Sequence, residues 1–92
     1  MESSKIVITV VGKDTVGIIA KVTGVLADTN VNILDISQTI MQSFFAMIVV
    51  ADIKDARVAY SDLLAKLEGT GNSLGVKIIV HREDVFNYMH RI

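Results

Sequence analysis

The stretch VGKDTVGII, residues 11–19, decides the fold because it joins a strand to a helix. The residues before it, 5–11, are almost all β-branched, which predicts a strand buried on both faces. The residues after it repeat apolar side chains at helical spacing, and either Asp14 or Thr15 is placed to cap the helix. Asn30 is predicted to end this helix, because Asn tolerates a left-handed backbone.

The rest of the chain reads as five further elements. Alternating or continuous apolar runs indicate strands, and the spacing i, i+3, i+4, i+7 after Asp55 indicates a helix with Gly69 as its stop. The predicted order is a strand over 31–41, a tight connection at Gln42-Ser43, a strand over 44–52, a helix from Asp55 to Gly69, a loop over 69–73, a strand over 75–81 and a short helix over about 83–92.

The order β-α-β-β-α-β predicts an α+β, ferredoxin-like fold. We therefore expect a four-stranded antiparallel sheet with two helices on one face, plus a short C-terminal helix. A chain of 92 residues has the length of one domain. Residues 1–4 are predicted to form an N-terminal tail, and 5–92 a single domain.

Composition excludes several classes of function. The chain is 51% hydrophobic, with a mean hydropathy of +0.51, which exceeds what a small domain buries and indicates association with another chain. A net charge of −1 gives no electrostatic drive towards nucleic acid or anionic lipid. There is no cysteine, no signal-peptide pattern and no apolar run long enough to span a bilayer. A cytoplasmic location is expected, without nucleic-acid or membrane partners.

The glycine-flanked segment does not match the common phosphate or metal motifs. Val7 and Asp14 stand where a phosphate-binding P-loop has Gly and Ser or Thr. His81 and His90 lack a matching acidic pattern, so no metal site and no cofactor are predicted. Met47 takes the place of a base-stacking ring in RNA-recognition domains. No nucleophile and base are placed together, so an enzyme is not predicted.

A small zwitterion fits the segment better. The start of a helix offers unpaired N–H groups and a partial positive charge to a carboxylate. Gly17 lets a ligand approach that backbone closely, and Asp14 can pair with an ammonium group. Asn32 can both donate and accept a hydrogen bond. Each residue also has a structural role that needs no ligand: Asp14 as a helix cap, Gly17 in a turn, and Asn32 bonded to its own backbone.

The segments GKDTVGII and NVNILDISQ resemble the ACT domain, a regulatory module that binds amino acids. Over residues 5–92 the chain is more closely similar to the stand-alone ACT proteins of the UPF0237 family, including ITVVGKD, VNILDISQT and the extra C-terminal helix. In this resemblance Gly17 and Asn32-Ile33 match the motif. Asp14, Val16 and Gly12 stand where the serine-sensing ACT domains have the loop Asn, Pro and His, so the resemblance does not imply specificity for serine.

The resemblance implies a homodimer that binds an amino acid between the first loop of one copy and the edge of its neighbour. The candidate ligand-binding residues are Gly12, Lys13, Asp14, Val16, Gly17, Ile18, Asn32 and Ile33. Because the domain stands alone, it is expected to pass its signal to a separate enzyme or regulator. The alternative is a ligand-free interaction module. For the dimer we favour edge-to-edge pairing through the second strand, with face-to-face packing of the sheets as the other arrangement.

Overall fold

A computed structural model describes residues 4–13 and 15–89, and it confirms the predicted fold class. The elements are β1 (Lys5–Lys13), α1 (Ile18–Asp28), β2 (Asn32–Met41), β3 (Phe44–Asp52), α2 (Tyr60–Leu74), β4 (Val76–Arg82) and α3 (Glu83–Met89). Asp14 and the predicted end of the C-terminal helix, 90–92, lie outside the described residues. Ser4, which was predicted to belong to the tail, accepts a hydrogen bond from the Ile53 backbone at 2.9 Å.

The four strands form one antiparallel sheet in the order β2-β3-β1-β4. Helices α1 and α2 cover one face, which we call the inner face. Alternate residues of β1 and β3 point to it, and they are almost fully buried: Ile6, Ile8, Val10, Phe45, Met47, Val49 and Ala51. Leu26 and Leu63 are among the helix residues that pack against them. Burial of these side chains contributes about 1.5–3 kcal/mol each for the larger ones.

A bulge in β2 reconciles an irregular apolar pattern with one buried face. Ile33 pairs with Ala51, but Asp35 already pairs with Val50, so Leu34 is an extra residue in the ladder. Beyond the bulge Ile36, Gln38 and Ile40 lie on the inner face. Asp35, Ser37 and Thr39 lie on the opposite, outer face. If Leu34 were paired in a regular ladder instead, the alternation from Ile33 would turn Ile36 outward.

The start of α1 differs from the prediction. Its N-cap is Gly17, in the left-handed conformation with φ 90°, and no side-chain hydrogen bond caps it within the described chain. Thr15 is therefore not the cap; its hydroxyl donates to the Lys13 carbonyl at 3.0 Å instead. The end of the helix is confirmed, since α1 stops at Asp28 and Asn30 has φ 60°.

The bounds predicted for α2 are wrong at both ends. The helix begins at Tyr60 rather than Asp55, because the preceding segment is bonded to the end of α1: the Arg57 N–H donates to the Thr29 carbonyl at 2.8 Å, and Asn30 Nδ2 donates to the Asp55 carbonyl at 2.9 Å. The predicted loop 69–73 is helical, and the helix ends at Gly75 with φ 74°.

The prediction that β1 is buried on both faces is correct only in part. Val7, on the outer face, is 3% exposed. Helix α3 contacts β1 and β4 there, and the Phe86 ring lies 6.4 Å from that of His81, the cross-strand neighbour of Val7. Further along the same face Val11 is 43% exposed. Among the described residues, the outer face is therefore covered at one end and exposed at the other.

Candidate ligand site

The start of α1 leaves backbone donors available. The Ile18 N–H makes a long 3.4 Å hydrogen bond to the Thr15 carbonyl, and regular helix bonding begins with Lys21 donating to Gly17 at 2.9 Å. Among the described residues, the N–H groups of Ile19 and Ala20 have no backbone or side-chain acceptor. The first turn also carries no acidic side chain. Two amide donors at the positive end of a helix dipole can bind a carboxylate.

A cleft of about 300 Å³ opens at this helix end. One wall is the first turn of α1 with the loop before it, and the other is the inner face of β2 and β3. Its lining residues are Thr15, Gly17, Ile18, Ile19, Ala20, Gln38, Ile40 and Phe45. Gly17 leaves the entrance open, because nothing lies within 4 Å of where its Cβ would be. No described lining residue is charged, so apolar side chains, the Gln38 amide and the Thr15 hydroxyl surround the helix end.

Of the candidate residues in the first loop, the structure brings Gly17 and Ile18 to this cleft. Gly12 lies instead against β4, where an added Cβ would be 2.9 Å from Val76 Cγ1. Lys13 is exposed at the end of β1, beside Phe44. Val16 is 97% exposed and does not line the cleft. Asp14 lies outside the described residues.

Asn32 and Ile33 lie at the other end of α1 from this cleft. An 11-residue helix is about 16 Å long, so a small ligand cannot touch both ends within one chain. Asn32 lines a second, more polar cleft of about 350 Å³ with Asn30, Asp52 and Lys54 among its neighbours. There the Lys54 N–H donates to Asp52 Oδ1 at 2.8 Å. This bond, with a smaller contribution from the Ser4 side chain, lowers the pKa of Asp52.

Sequence reasoning missed most of the wall formed by the sheet. Gln38, Ile40 and Phe45 are not among the candidate residues that the sequence predicts. Gln38 is a polar residue between Ile36 and Ile40 on a face that is otherwise apolar. Once the position of the bulge is known, that exception in the sequence indicates a binding residue. The bulge itself has no residue signature that separates it from regular alternation in this sequence.

The described part of the chain shows neither a metal site nor a membrane-spanning helix. No three His, Cys, Asp or Glu side chains there are grouped so that they could hold a metal ion. None of the helices described has the length and apolar composition needed to cross a bilayer.

Three comparisons with known proteins agree on the family of this chain. The sequence model of the ACT domain matches residues 4–81. A UPF0237 protein of Methanocaldococcus jannaschii is 53% identical over 89 residues, which cover 97% of this chain and 99% of that protein. An ACT domain protein from Streptococcus pneumoniae superposes with a TM-score of 0.78 at 39% identity, covering 91% of this chain and 94% of its own.

A more distant structure shares the fold. The regulatory subunit of aspartate kinase from Thermus thermophilus superposes with a TM-score of 0.66 at 24% identity, covering 85% of this chain and 50% of that subunit. The match of the family model over most of the chain, together with relatives of equal length, settles the family. This chain belongs to the ACT domain family and, within it, to the UPF0237 proteins.

Proposed function

We propose that the protein is a homodimeric regulatory module that binds an amino acid at the start of α1, next to the subunit interface. The observation that carries this proposal is the pair of amide donors, Ile19 and Ala20, opening into the 300 Å³ cleft. The regulatory subunit of aspartate kinase shares the fold, which supports a regulatory role. The cytoplasmic location remains a prediction from the sequence.

The first step is binding of the ligand's carboxylate. The N–H groups of Ile19 and Ala20 donate to its oxygens, and the helix dipole favours the negative charge. A hydrogen bond to a charged group contributes roughly 1.5–3 kcal/mol. The neighbouring wall is formed by Ile40 and Phe45, so an apolar ligand side chain would lie against apolar surface while Gln38 offers an amide.

The second step is dimerisation through β2. This strand is an edge of the sheet, and its side chains from residue 34 to residue 40 are all exposed. They include three large apolar residues, Leu34, Ile36 and Ile40. A long exposed apolar edge readily pairs with another strand. Pairing two copies of β2 would join the sheets into one of eight strands.

Such a dimer would unite the two groups of candidate residues that a single chain separates. In antiparallel pairing about a two-fold axis, the first residues of one β2 lie beside the last residues of the other. The partner subunit's Asn32 would then lie near the end of β2 that lines the cleft through Gln38 and Ile40. The amide of the partner's Asn32, which can both donate and accept a hydrogen bond, would thus lie in the same site as the N–H donors of Ile19 and Ala20.

The third step is output. A domain of this size carries its effect to another protein by a change in shape or association, since no catalytic group lies in the cleft's described lining. The test of ligand binding is a thermal-shift screen against all twenty amino acids, followed by calorimetric titration of those that raise the melting temperature. If none raises it, the sensor proposal fails and the ligand-free interaction module takes its place.

A matched pair of variants tests the carboxylate contact. Ala20 is exposed in the first turn of α1 and lines the cleft. In Ala20→Glu the new carboxylate competes for the helix end, so affinity for the amino acid should fall more than tenfold relative to Ala20→Gln. Without ligand, the Glu variant should be slightly more stable, by about 0.3–1 kcal/mol. Equal affinities of the two variants would rule out carboxylate binding at this helix end.

The charge at position 14 is tested separately. Asp14→Ser keeps a residue that can cap a helix but removes the negative charge. If Asp14 pairs with the ligand's ammonium group, affinity should fall more than tenfold. Unchanged affinity would remove Asp14 from the site while leaving the carboxylate contact in place.

A further inference from the structure

The two walls of the cleft at the start of α1 each carry an exposed isoleucine. Ile19 on the helix is 38% exposed, Ile40 on β2 is 55% exposed, and both line the cleft. Ile18 and Phe45 line it as well, but they are buried and belong to the core. The cleft therefore combines buried apolar residues with two apolar side chains that remain partly in water.

The polar groups of the cleft are divided between the same two walls. On the helix, the N–H groups of Ile19 and Ala20 can only donate hydrogen bonds. On the sheet, the Gln38 side chain has no hydrogen-bond partner among the described residues, so its amide oxygen is available as an acceptor. A zwitterion that lies between the walls can thus meet donors on one side and an acceptor on the other.

We propose that the ligand is an amino acid with an aliphatic side chain, that Gln38 binds its ammonium group, and that Ile19 and Ile40 contact its side chain. This inference rests on the proposed function, which places the ligand's carboxylate at the Ile19 and Ala20 N–H groups. Those donors cannot serve an ammonium group, and the amide oxygen of Gln38 can. An ammonium group has three donors, so a contact with Gln38 leaves room for one with Asp14.

The lining favours an uncharged side chain on the ligand. No described residue of the cleft carries a charge. A second carboxylate or ammonium group on the ligand would lose water against Ile19 and Ile40 without gaining an ion pair there, and that loss is unfavourable. An aliphatic side chain gives up no hydrogen bond in the same place, and it removes apolar surface of both isoleucines from water.

The size of the cleft favours a small ligand. Its volume of about 300 Å³ lies at the lower end of the range of roughly 300–1,000 Å³ for ligand pockets. Each further CH₂ group that is buried raises the affinity about fourfold. Leucine has a side chain longer than that of alanine by three carbon atoms, so it should bind at least about tenfold tighter even if its burial is partial.

Two alanine variants test the apolar wall on the sheet. Ile36 lies on the same face of β2 but does not line the cleft, so Ile36→Ala is the matched control for Ile40→Ala. The measurement is the ratio of the affinities for leucine and alanine by calorimetric titration, because a weaker dimer would lower both affinities alike. Ile40→Ala should reduce this ratio by about threefold or more, and Ile36→Ala should leave it unchanged. An unchanged ratio in Ile40→Ala would overturn the proposal.

Two variants of Gln38 determine which group of the ligand it binds. Gln38→Glu makes the oxygen a stronger acceptor, so leucine should bind about threefold tighter. Gln38→Met removes the acceptor and should weaken leucine binding about tenfold. Thr39→Glu places the same charge on the outer face of β2 and should not change the affinity. If Gln38→Glu weakens leucine binding instead, Gln38 faces the carboxylate and the proposal is wrong.

Titration of the wild type separates failure of this inference from failure of the proposed function. Binding of leucine, with alanine at least about tenfold weaker and no heat from glutamate or lysine, supports the inference. Tighter binding of an amino acid with a charged side chain or a hydroxyl group overturns the inference but leaves the proposed function in place. Absence of heat from every amino acid rejects the proposed function and this inference with it. Circular dichroism verifies that each variant is folded.

Discussion

Two glycines in α2 provide the sharpest test of the packing. They are two residues apart in one helix but meet different surroundings. A Cβ added at Gly71 would lie 2.9 Å from the Val76 carbonyl oxygen and 3.0 Å from Ile78 Cγ1. A Cβ added at Gly69 would meet nothing within 4 Å. Substitution by alanine should therefore change the stability in opposite directions.

The magnitudes follow from two effects. Alanine is about 0.8–1 kcal/mol more favourable than glycine inside a helix, so Gly69→Ala should raise the free energy of unfolding by about that amount. Gly71→Ala gains the same propensity, but it must displace a backbone carbonyl in β4, and overpacking of this kind costs about 1–3 kcal/mol. The expected difference between the two variants is therefore about 1–3 kcal/mol. In a domain of this size that is roughly 5–20 °C in melting temperature.

The assay is thermal and urea denaturation of the wild type and both variants, followed by circular dichroism at one protein concentration. Equal stabilisation by both substitutions would show that Gly71 does not pack against β4. A loss of stability in Gly69→Ala would contradict the extent of α2 and favour a loop over 69–73, as the sequence predicts.

Two further predictions concern the ends of α1 and β3. Gly17→Ala should lower the free energy of unfolding by about 1–2 kcal/mol because of the positive φ alone, since a Cβ at this position meets nothing within 4 Å. Gly17→Asn should cost less, because Asn tolerates the left-handed conformation. Denaturation measures both variants, and equal losses would contradict a purely conformational cost. Asp52→Asn should lower the melting temperature at neutral pH, because the hydrogen bond from Lys54 N–H favours the charged carboxylate and lowers its pKa below the ordinary 3.8. That stabilisation is present above about pH 4 and is lost as the pH falls through the folded-state pKa of Asp52. The difference in melting temperature between Asp52→Asn and the wild type should therefore disappear in acid. A difference that persists there would show that the charge of Asp52 is not its source.

The fold could be predicted because apolar periodicity separates strands from helices in most of this chain. Residues 44–52 and the Gln42-Ser43 turn were placed correctly, and so was the end of α1 at Asn30. The bounds of α2 could not be predicted from local pattern. Gly69, Thr70 and Gly71 have the composition of a loop, yet Gly71 is selected by the close approach of Val76 rather than by a turn.

The candidate site was predicted at its helical wall and missed at its sheet wall. Gly17 and Ile18 stand out because glycine precedes a periodic segment. Gln38, Ile40 and Phe45 enter the cleft only through strand order and register, which are tertiary properties. Asn32 was grouped with Gly17 through the family resemblance, and the length of α1 shows that such a group requires two chains.

The bulge at Leu34 shields the cleft from changes in the length of β2. Gln38 and Ile40 owe their facing to their pairing with β3, and Leu34 is the unpaired residue that lets Ile33 share the same face. A homologue without a residue at this position would form a regular ladder with Ile33, Gln38 and Ile40 on the same faces as here. One residue can therefore be lost at this point of the strand while the groups that line the cleft, and with them the ligand preference, stay the same.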